Sequence, residues 1–172
     1  SLTEELLSLS HIELGTVAMD SHQIDILEAV DTVVKELHPN ASVGNHTVAV
    51  EKYGILPKEV VLDPKRFYNV LQCLVANALD YSPIGSRVVI KLQAENKVLR
   101  VAVANKGPGI PPAEQKRIFE KFFRGEAARR TKPSGMGIGL FIAKSFVQRW
   151  GGAMGVVSAE GSGTEFWFTI NL

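Results

Sequence analysis

Three polar side chains stand where the surrounding pattern predicts apolar ones. Asn77 lies at the edge of an apolar stripe with helical spacing, and Asn105 and Thr164 each extend the inward-facing apolar side of a predicted strand. Burying an amide or a hydroxyl is costly unless the group is hydrogen bonded. Polar groups at strand ends therefore indicate either the polar edge of a ligand pocket or groups that backbone and ordered water satisfy.

Two glycine-rich segments could approach an anion closely. Gly107-Pro108-Gly109 directly follows a predicted strand, and residues 135–140 (Gly-Met-Gly-Ile-Gly-Leu) open a predicted helix. Glycine lets backbone N–H groups come close to a ligand, and a helix N-terminus adds a dipole that favours negative charge. The pattern is not a dinucleotide-binding fingerprint, because no strand of a βαβ unit immediately precedes it.

The segment between these glycines is strongly basic. Residues 106–135 contain eight basic residues and three acidic ones, a local charge of +5 in a chain whose net charge is +1. Such a segment suits either a loop that faces a polyanion or a solvated surface loop.

Composition restricts the class of protein. The 172 residues, 45% of them hydrophobic and 22% charged, suit one globular domain with its own core. No apolar run approaches the roughly 18 residues of a membrane span, so we expect no membrane contact. The single cysteine, Cys73, excludes an internal disulfide, and the four histidines have no metal-ligand spacing.

The elements that position these residues can be placed by periodicity. Asp63-Pro64 predicts a helix start, with a carboxylate cap followed by Pro at the first helical position, and Ser82-Pro83 predicts its end. The mixture of helices and adjacent antiparallel strands predicts a two-layer α+β sandwich. Helices are predicted at 2–14, 24–37, 64–81, 112–121 and 138–150, and strands at 47–51, 60–62, 87–94, 97–105, 153–159 and 164–171.

Five motifs in order resemble the conserved boxes of sensor histidine kinases. They are Asn77-Ala78, residues 105–110 (Asn-Lys-Gly-Pro-Gly-Ile), 118–124 (Ile-Phe-Glu-Lys-Phe-Phe-Arg), 135–140, and 161–166 (Gly-Ser-Gly-Thr-Glu-Phe). The resemblance covers roughly residues 16–172. It implies the Bergerat ATP-binding sandwich, a mixed and mostly antiparallel sheet covered by helices, which gyrase B, Hsp90 and MutL share.

The resemblance also implies a site for ATP and Mg²⁺. Asn77 would hold Mg²⁺, Asn105 and Thr164 would meet the adenine, and residues 106–134 would form the ATP lid, whose basic residues Arg124, Arg130 and Lys132 would face the phosphates. The implied nucleotide-binding residues are Asn77, Tyr81, Asn105, Gly107, Gly109, Ile110, Lys121, Arg124, Gly135, Met136, Gly137, Ile138, Gly139, Leu140 and Thr164.

By the same resemblance, residues 1–15 are the tail of the second dimerisation helix and residues 16–172 the catalytic domain. The γ-phosphoryl group of ATP would pass to a histidine of the protein's own dimerisation domain, and then to a response regulator receiver domain. We expect a homodimeric parent protein, a cytoplasmic location for this chain and no nucleic acid partner. His11 is predicted not to be the acceptor, because Ile12 follows it where an acidic residue is expected.

Three residues depart from the family pattern. Cys73 replaces the first Asn of the first box, Asp80 stands where a basic residue is common, and Asn105 replaces the usual Asp. An Asn amide can accept from an adenine amino group or, when flipped, donate to a guanine carbonyl, so we expect relaxed base choice, which the rotatable Thr164 hydroxyl could follow.

Two other functions remain open at this point. An ATP hydrolase of the same fold uses a Glu at the position of Cys73, and a thiol cannot replace it there. A degenerate module that binds a nucleotide or a partner without phosphotransfer is the alternative that the three departures favour.

Overall fold

A five-stranded mixed sheet and a layer of helices form the structure, a computed structural model that describes residues 2–172. The helices are α1 (Leu2–Glu13), α2 (Ile26–Val43), α3 (Pro64–Asp80), α4 (Pro112–Gln115), α5 (Glu126–Thr131) and α6 (Gly139–Arg149). The strands are β1 (His22–Asp25), β2 (Thr47–Tyr53), β3 (Glu59–Leu62), β4 (Arg87–Glu95), β5 (Val98–Asn105), β6 (Met154–Ala159) and β7 (Gly163–Asn171).

The strand order in the large sheet is β2-β4-β5-β7-β6. Strand β2 runs parallel to β4, and the other three pairs are antiparallel. Strands β1 and β3 form a separate two-stranded antiparallel sheet. The predicted sandwich, with a mixed and mostly antiparallel sheet, is confirmed.

The core lies between the sheet and helices α2, α3 and α6. Alternate residues of the central strands point into it, which confirms the inward faces predicted for β5 and β7, and α3 covers them with its apolar stripe. Phe67 of α3 meets Phe168 of β7 edge to face, with ring centroids 6.1 Å apart. Buried residues of these elements include Phe67, Val70, Leu71, Leu74, Val75, Leu99, Val101, Val103, Phe166, Phe168 and Ile170.

Helix α3 begins where its sequence predicts. The buried Asp63 carboxylate accepts hydrogen bonds from the backbone N–H groups of Arg66 at 3.0 Å and Asp20 at 3.0 Å, and Pro64 occupies the first helical position. The cap therefore also fixes the segment that leads from α1 into the domain. Because the helix is rigid, the start also determines where Asn77, one turn before its end, is placed.

Several predicted boundaries were wrong. Helix α2 continues through Pro39 to Val43, since Ala41 is buried and holds the last turn against the core. The turn between β4 and β5 is Asn96-Lys97, not Glu95-Asn96, and both of its residues have positive φ, as a tight hairpin requires. The helix predicted at 112–121 ends at Gln115, and β1 and α5 were not predicted.

Candidate functional site

One cavity of about 1000 Å³ contains most of the residues singled out by sequence. It lies between helix α3, the ends of β5 and β7, the segment of residues 106–134, which is called the lid below, and the start of α6. Its size suits a ligand as large as a nucleotide. Thirteen of the fifteen predicted binding residues line it, namely Asn77, Tyr81, Asn105, Gly107, Gly109, Ile110, Arg124, Gly135, Met136, Gly137, Gly139, Leu140 and Thr164.

The other two predicted residues lie elsewhere. Lys121 forms an ion pair with Glu13 of α1, and its ammonium lies 5.0 Å from the centroid of the Phe141 ring. Ile138 is only 1% exposed and belongs to the hydrophobic core. Among the basic residues expected near phosphates, Arg130 pairs with Glu126 on the surface of the lid and does not line the cavity.

Asn105 and Thr164 lie side by side at one end of the cavity, because they are register partners in the antiparallel pair β5–β7. The Asn105 Nδ2 amide donates to the Ala78 carbonyl oxygen at 3.4 Å and to Ser82 Oγ at 3.3 Å. A Cβ at Gly107 would lie 2.6 Å from the Tyr81 carbonyl oxygen and 2.8 Å from Asn105 Nδ2. Glycine at 107 is therefore needed for the amide to reach α3.

A second polar cluster surrounds Thr164. Its Oγ1 lies 2.8 Å from Ser158 Oγ, which also contacts the Gly163 carbonyl oxygen at 2.8 Å. The backbone N–H of Ile110 donates to the same Ser158 oxygen at 2.9 Å. Sequence reasoning missed Ser158, although the β6–β7 hairpin register places it directly opposite Thr164.

Asn77, in the last turn of α3, lines the wall of the cavity. Its Nδ2 is 3.9 Å from Cys73 Sγ, a weak contact that turns the amide nitrogen back along the helix. Within residues 2–172, Asn77 Oδ1 accepts no hydrogen bond, so it can meet a ligand. Gly139, the first residue of α6, packs against Cys73, whose Sγ would lie 3.2 Å from a Cβ at that position.

The lid is folded by its own charged side chains. Arg124 donates to the carbonyl oxygens of Ala128 at 2.6 Å, Pro133 at 2.8 Å and Lys132, and so closes the C-terminal end of the short helix α5. The same guanidinium lines the cavity. Helix α5 has no buried residue and no apolar stripe, so periodicity could not predict it, and the side chain that closes it lies just before the helix.

An ion pair ties the lid to α3. Lys132 Nζ donates to Asp80 Oδ2 at 2.8 Å, and Lys132 lines the cavity whereas Asp80 does not. The Asp80 carboxylate is therefore neutralised at the cavity edge by the lid. Next to it, burial and then the Asp80 charge raise the pKa of Tyr81, so its phenol stays protonated at neutral pH.

Gly137, in the second glycine-rich segment, has no room for a side chain. It has φ +72°, and a Cβ there would lie 2.6 Å from the Phe123 carbonyl oxygen. The carbonyl of Gly137 accepts the backbone N–H of Phe122 at 2.9 Å. This glycine therefore joins the lid to the segment that opens α6.

The cavity also extends farther than sequence reasoning indicated. It continues along α3 toward its N-terminus, where Lys65, Asn69 and Gln72 line it, and reaches Ser8 and His11 of α1. Lys65, Asn69 and Gln72 follow one another at the spacing i, i+4 and i+7 and so share one face of α3, which is the signal that could have identified them.

Comparison with protein families gives a match over most of the chain. Residues 62–172 match the family described as histidine kinase-, DNA gyrase B-, and HSP90-like ATPase. The match begins just before α3 and covers the cavity walls formed by α3, the lid, α6 and the last two strands.

Curated relatives are considerably longer than this chain. The sensor histidine kinase GacS of Pseudomonas protegens is 29% identical over 99% of this chain and 19% of the relative. The sensor-like histidine kinase SenX3 of Mycobacterium tuberculosis is 33% identical over 96% of this chain and 40% of the relative. The chain thus spans well under half the length of these relatives.

Solved structures share the fold over nearly the whole chain. The crystal structure of full-length ShkA in complex with AMPPNP is 27% identical, with a TM-score of 0.85, and the match covers 98% of this chain and 35% of that one. The catalytic domain of histidine kinase ThkA, in a nucleotide-free form, is 26% identical, with a TM-score of 0.76 over 89% of this chain and 96% of that one. No helix within residues 2–172 is long and apolar enough to cross a membrane.

Proposed function

Because this chain belongs to the family of histidine kinase-, DNA gyrase B- and HSP90-like ATPases, we propose that it binds Mg-ATP in the cavity beside α3 and transfers the γ-phosphoryl group to a protein histidine. The acceptor would lie on a dimerisation domain outside the 172 residues, in a homodimeric sensor kinase. The phosphoryl group would then pass to a response regulator receiver domain. The chain would work in the cytoplasm.

The observation that carries the proposal is the convergence of the five motifs on one cavity. They are spread over residues 77–166, yet they supply the polar end formed by Asn105 and Thr164, the wall that contains Asn77, and the glycine-led start of α6. The relative crystallised with AMPPNP, an ATP analogue, has the same fold. The adenine would occupy the end with Asn105 and Thr164, with Ile110 and Leu140 as its apolar walls.

The residues of the cavity also fit a magnesium ion that arrives with the nucleotide. No group of three or more His, Cys, Asp or Glu side chains that could hold a metal occurs in residues 2–172. Asn77 Oδ1 offers one oxygen ligand, and Mg²⁺ commonly takes one or two protein ligands, with phosphate and water oxygens completing its shell. Asn77 would hold the ion, which would offset the negative charge of the phosphates.

The protein's own part in the transfer would be positioning and charge stabilisation. The N-terminus of α6 would direct backbone N–H groups and its dipole toward the phosphates, and Lys132 and Arg124 would supply positive charge from the lid. In the transfer, the bond between the γ-phosphorus and the oxygen that becomes part of ADP breaks. A bond from phosphorus to an imidazole nitrogen forms, and the imidazole N–H proton passes to a base of the dimerisation domain or to solvent.

The test is phosphotransfer in trans. The chain is incubated with labelled Mg-ATP, with and without the parent protein's dimerisation domain as a separate polypeptide. We expect acid-labile, base-stable label on the dimerisation domain and none on this chain, including His11. A chain that binds ATP but leaves the dimerisation domain unlabelled would support the alternative of a binding module without phosphotransfer, which Cys73 and Asp80 favour.

A further inference from the structure

The hydrogen bonds of Asn105 determine which atom of its amide faces the cavity. The Ala78 carbonyl oxygen can only accept a hydrogen bond. Ser82 Oγ donates its single proton to that same carbonyl at 2.5 Å, so toward Asn105 it can only accept as well. Ala78 of α3 and Ser82 just beyond the end of α3 are therefore both acceptors toward Asn105, and the amide must turn its NH₂ group toward them. Its Oδ1, which accepts no bond from any described residue, is left for a ligand.

The same reasoning fixes the hydroxyl of Thr164. Ser158 Oγ has one proton, accepts the Ile110 N–H, and contacts both the Gly163 carbonyl oxygen and Thr164 Oγ1. All these contacts are satisfied together only if Ser158 donates to the Gly163 carbonyl and Thr164 donates to Ser158. The Thr164 proton is then used, and only its lone pairs remain for a ligand.

We propose that Ser82 and Ser158 determine the base choice of this site by presenting two acceptors, Asn105 Oδ1 and Thr164 Oγ1, to the bound base. This inference rests on the proposed function, namely that the cavity binds a nucleoside triphosphate with its base at this end. Two acceptors attract the amino group at C6 of adenine. Where both acceptors face the substituent at C6, they repel the carbonyl oxygen that guanine and hypoxanthine carry there, because neither oxygen has a proton to donate to the other.

This proposal is the opposite of the expectation from sequence that Asn105 relaxes base choice. That expectation required an amide free to flip and a hydroxyl free to rotate. A flip would bring Oδ1 against Ala78 O and Ser82 Oγ, two acceptors, and would lose two hydrogen bonds. Asn105 therefore acts like the acceptor-only Asp of the family pattern for as long as Ser82 holds it.

The first test needs only the natural chain and three nucleotides. ATP has an amino group at C6, the triphosphate of purine riboside has hydrogen there, and inosine triphosphate has a carbonyl oxygen without the 2-amino group of guanine. Two fixed acceptors predict the affinity order ATP, then purine riboside triphosphate, then inosine triphosphate. We expect about tenfold between ATP and inosine triphosphate, the factor for one mispaired hydrogen bond. An amide that flips would instead bind inosine triphosphate more tightly than the unsubstituted purine.

The second test separates positioning from general stability. Ser82→Ala removes an acceptor that orients the amide, and leaves only the long contact to Ala78. It should lower the ratio of ATP to inosine triphosphate affinity by about fivefold, the value of one neutral hydrogen bond. In an Asn105→Asp background the same substitution should leave the ratio unchanged, because a carboxylate accepts in either orientation. A merely structural role of Ser82 would change both affinities equally in both backgrounds.

The outcomes distinguish failure of the inference from failure of the proposed function. Binding of ATP with equal affinity for inosine triphosphate, or a ratio that Ser82→Ala does not change, would overturn the inference and leave the ATP site intact. If none of the three nucleotides binds, the proposed function and the inference are both overturned. The natural chain alone gives the decisive order of affinities, so the test stands even where a variant does not fold.

Discussion

Replacing Asp80 with Asn is expected to tighten nucleotide binding. Lys132 lines the cavity and donates to the Asp80 carboxylate at 2.8 Å, so a bound triphosphate must compete with Asp80 for this ammonium. The Lys132 side chain is 52% exposed and that of Asp80 is 33% exposed, and a pair so open to solvent contributes about 0.2–1 kcal/mol. Removing the competition should therefore tighten Mg-ATP binding by up to about fivefold at low salt.

Titration calorimetry at low and at high salt is the assay. At about 1 M salt the Debye length falls to about 3 Å, so the advantage of Asp80→Asn over the natural chain should largely disappear. The matched control is Asp31→Asn, which breaks an ion pair of 2.6 Å with Lys35 on α2, away from the cavity. The control should bind Mg-ATP like the natural chain at both salt concentrations.

The reasoning would be refuted by weaker binding of Mg-ATP to Asp80→Asn at low salt. That result would mean that Asp80 either holds Lys132 in its binding position or contributes to cation binding itself. An equal gain for Asp31→Asn would show that overall charge, and not the pair with Lys132, is responsible.

Three further substitutions test other parts of the account. Asn77→Ala should abolish the Mg²⁺ dependence of nucleotide binding, whereas Asn69→Ala on the same helix should retain it. Calorimetry with and without Mg²⁺ is the measurement. Equal Mg²⁺ dependence in the two variants would show that Asn77 is not a ligand of the metal. Gly137→Ala should weaken ATP binding more than Gly85→Ala. Both glycines have positive φ, but only at position 137 would a Cβ meet a backbone oxygen. Equal ATP affinities of the two variants would show that the junction between the lid and α6 tolerates the side chain. Burial opposes ionisation of Glu165, but hydrogen bonds from Lys91 at 2.8 Å and Arg100 at 3.0 Å outweigh it and lower its pKa from 4.5. Glu165→Gln should therefore lower the free energy of unfolding by about 1 kcal/mol at neutral pH. This loss should fade as the pH falls below 4.5 through the folded-state pKa, since the stabilisation exists only while the carboxylate is charged. Urea unfolding at neutral pH and at a pH below the folded-state pKa is the measurement, and a loss that is the same at both would contradict the prediction.

Much of the fold is predictable because its elements have strong local signals. Asp63-Pro64 fixes the start of α3, and two-residue alternation fixes the inward faces of β5 and β7. Strand β1 has no such signal, because its four residues pair only with β3 and lack an apolar alternation. Helix α5 likewise depends on Arg124, which closes it from outside its own sequence.

The candidate site was predictable as a set of residue types but not as a hydrogen-bond network. Asn105 and Thr164 stand out in the sequence because they are polar positions on apolar faces. The donor and acceptor roles of Asn105 depend on Ser82, which follows the end of α3. Those of Thr164 depend on Ser158, which lies on the neighbouring strand β6. Lys121 belongs to a matching motif, yet its ion pair with Glu13 directs it away from the cavity.

The central claim, that this cavity binds ATP with Mg²⁺, is tested most directly by calorimetric titration of the chain with a non-hydrolysable ATP analogue in the presence of Mg²⁺. The account predicts saturable binding of one nucleotide per chain, weakened when Asn105 is replaced by Ala. Absence of binding at about 1 mM analogue, where a binding free energy near −4.1 kcal/mol would be detected, would contradict it.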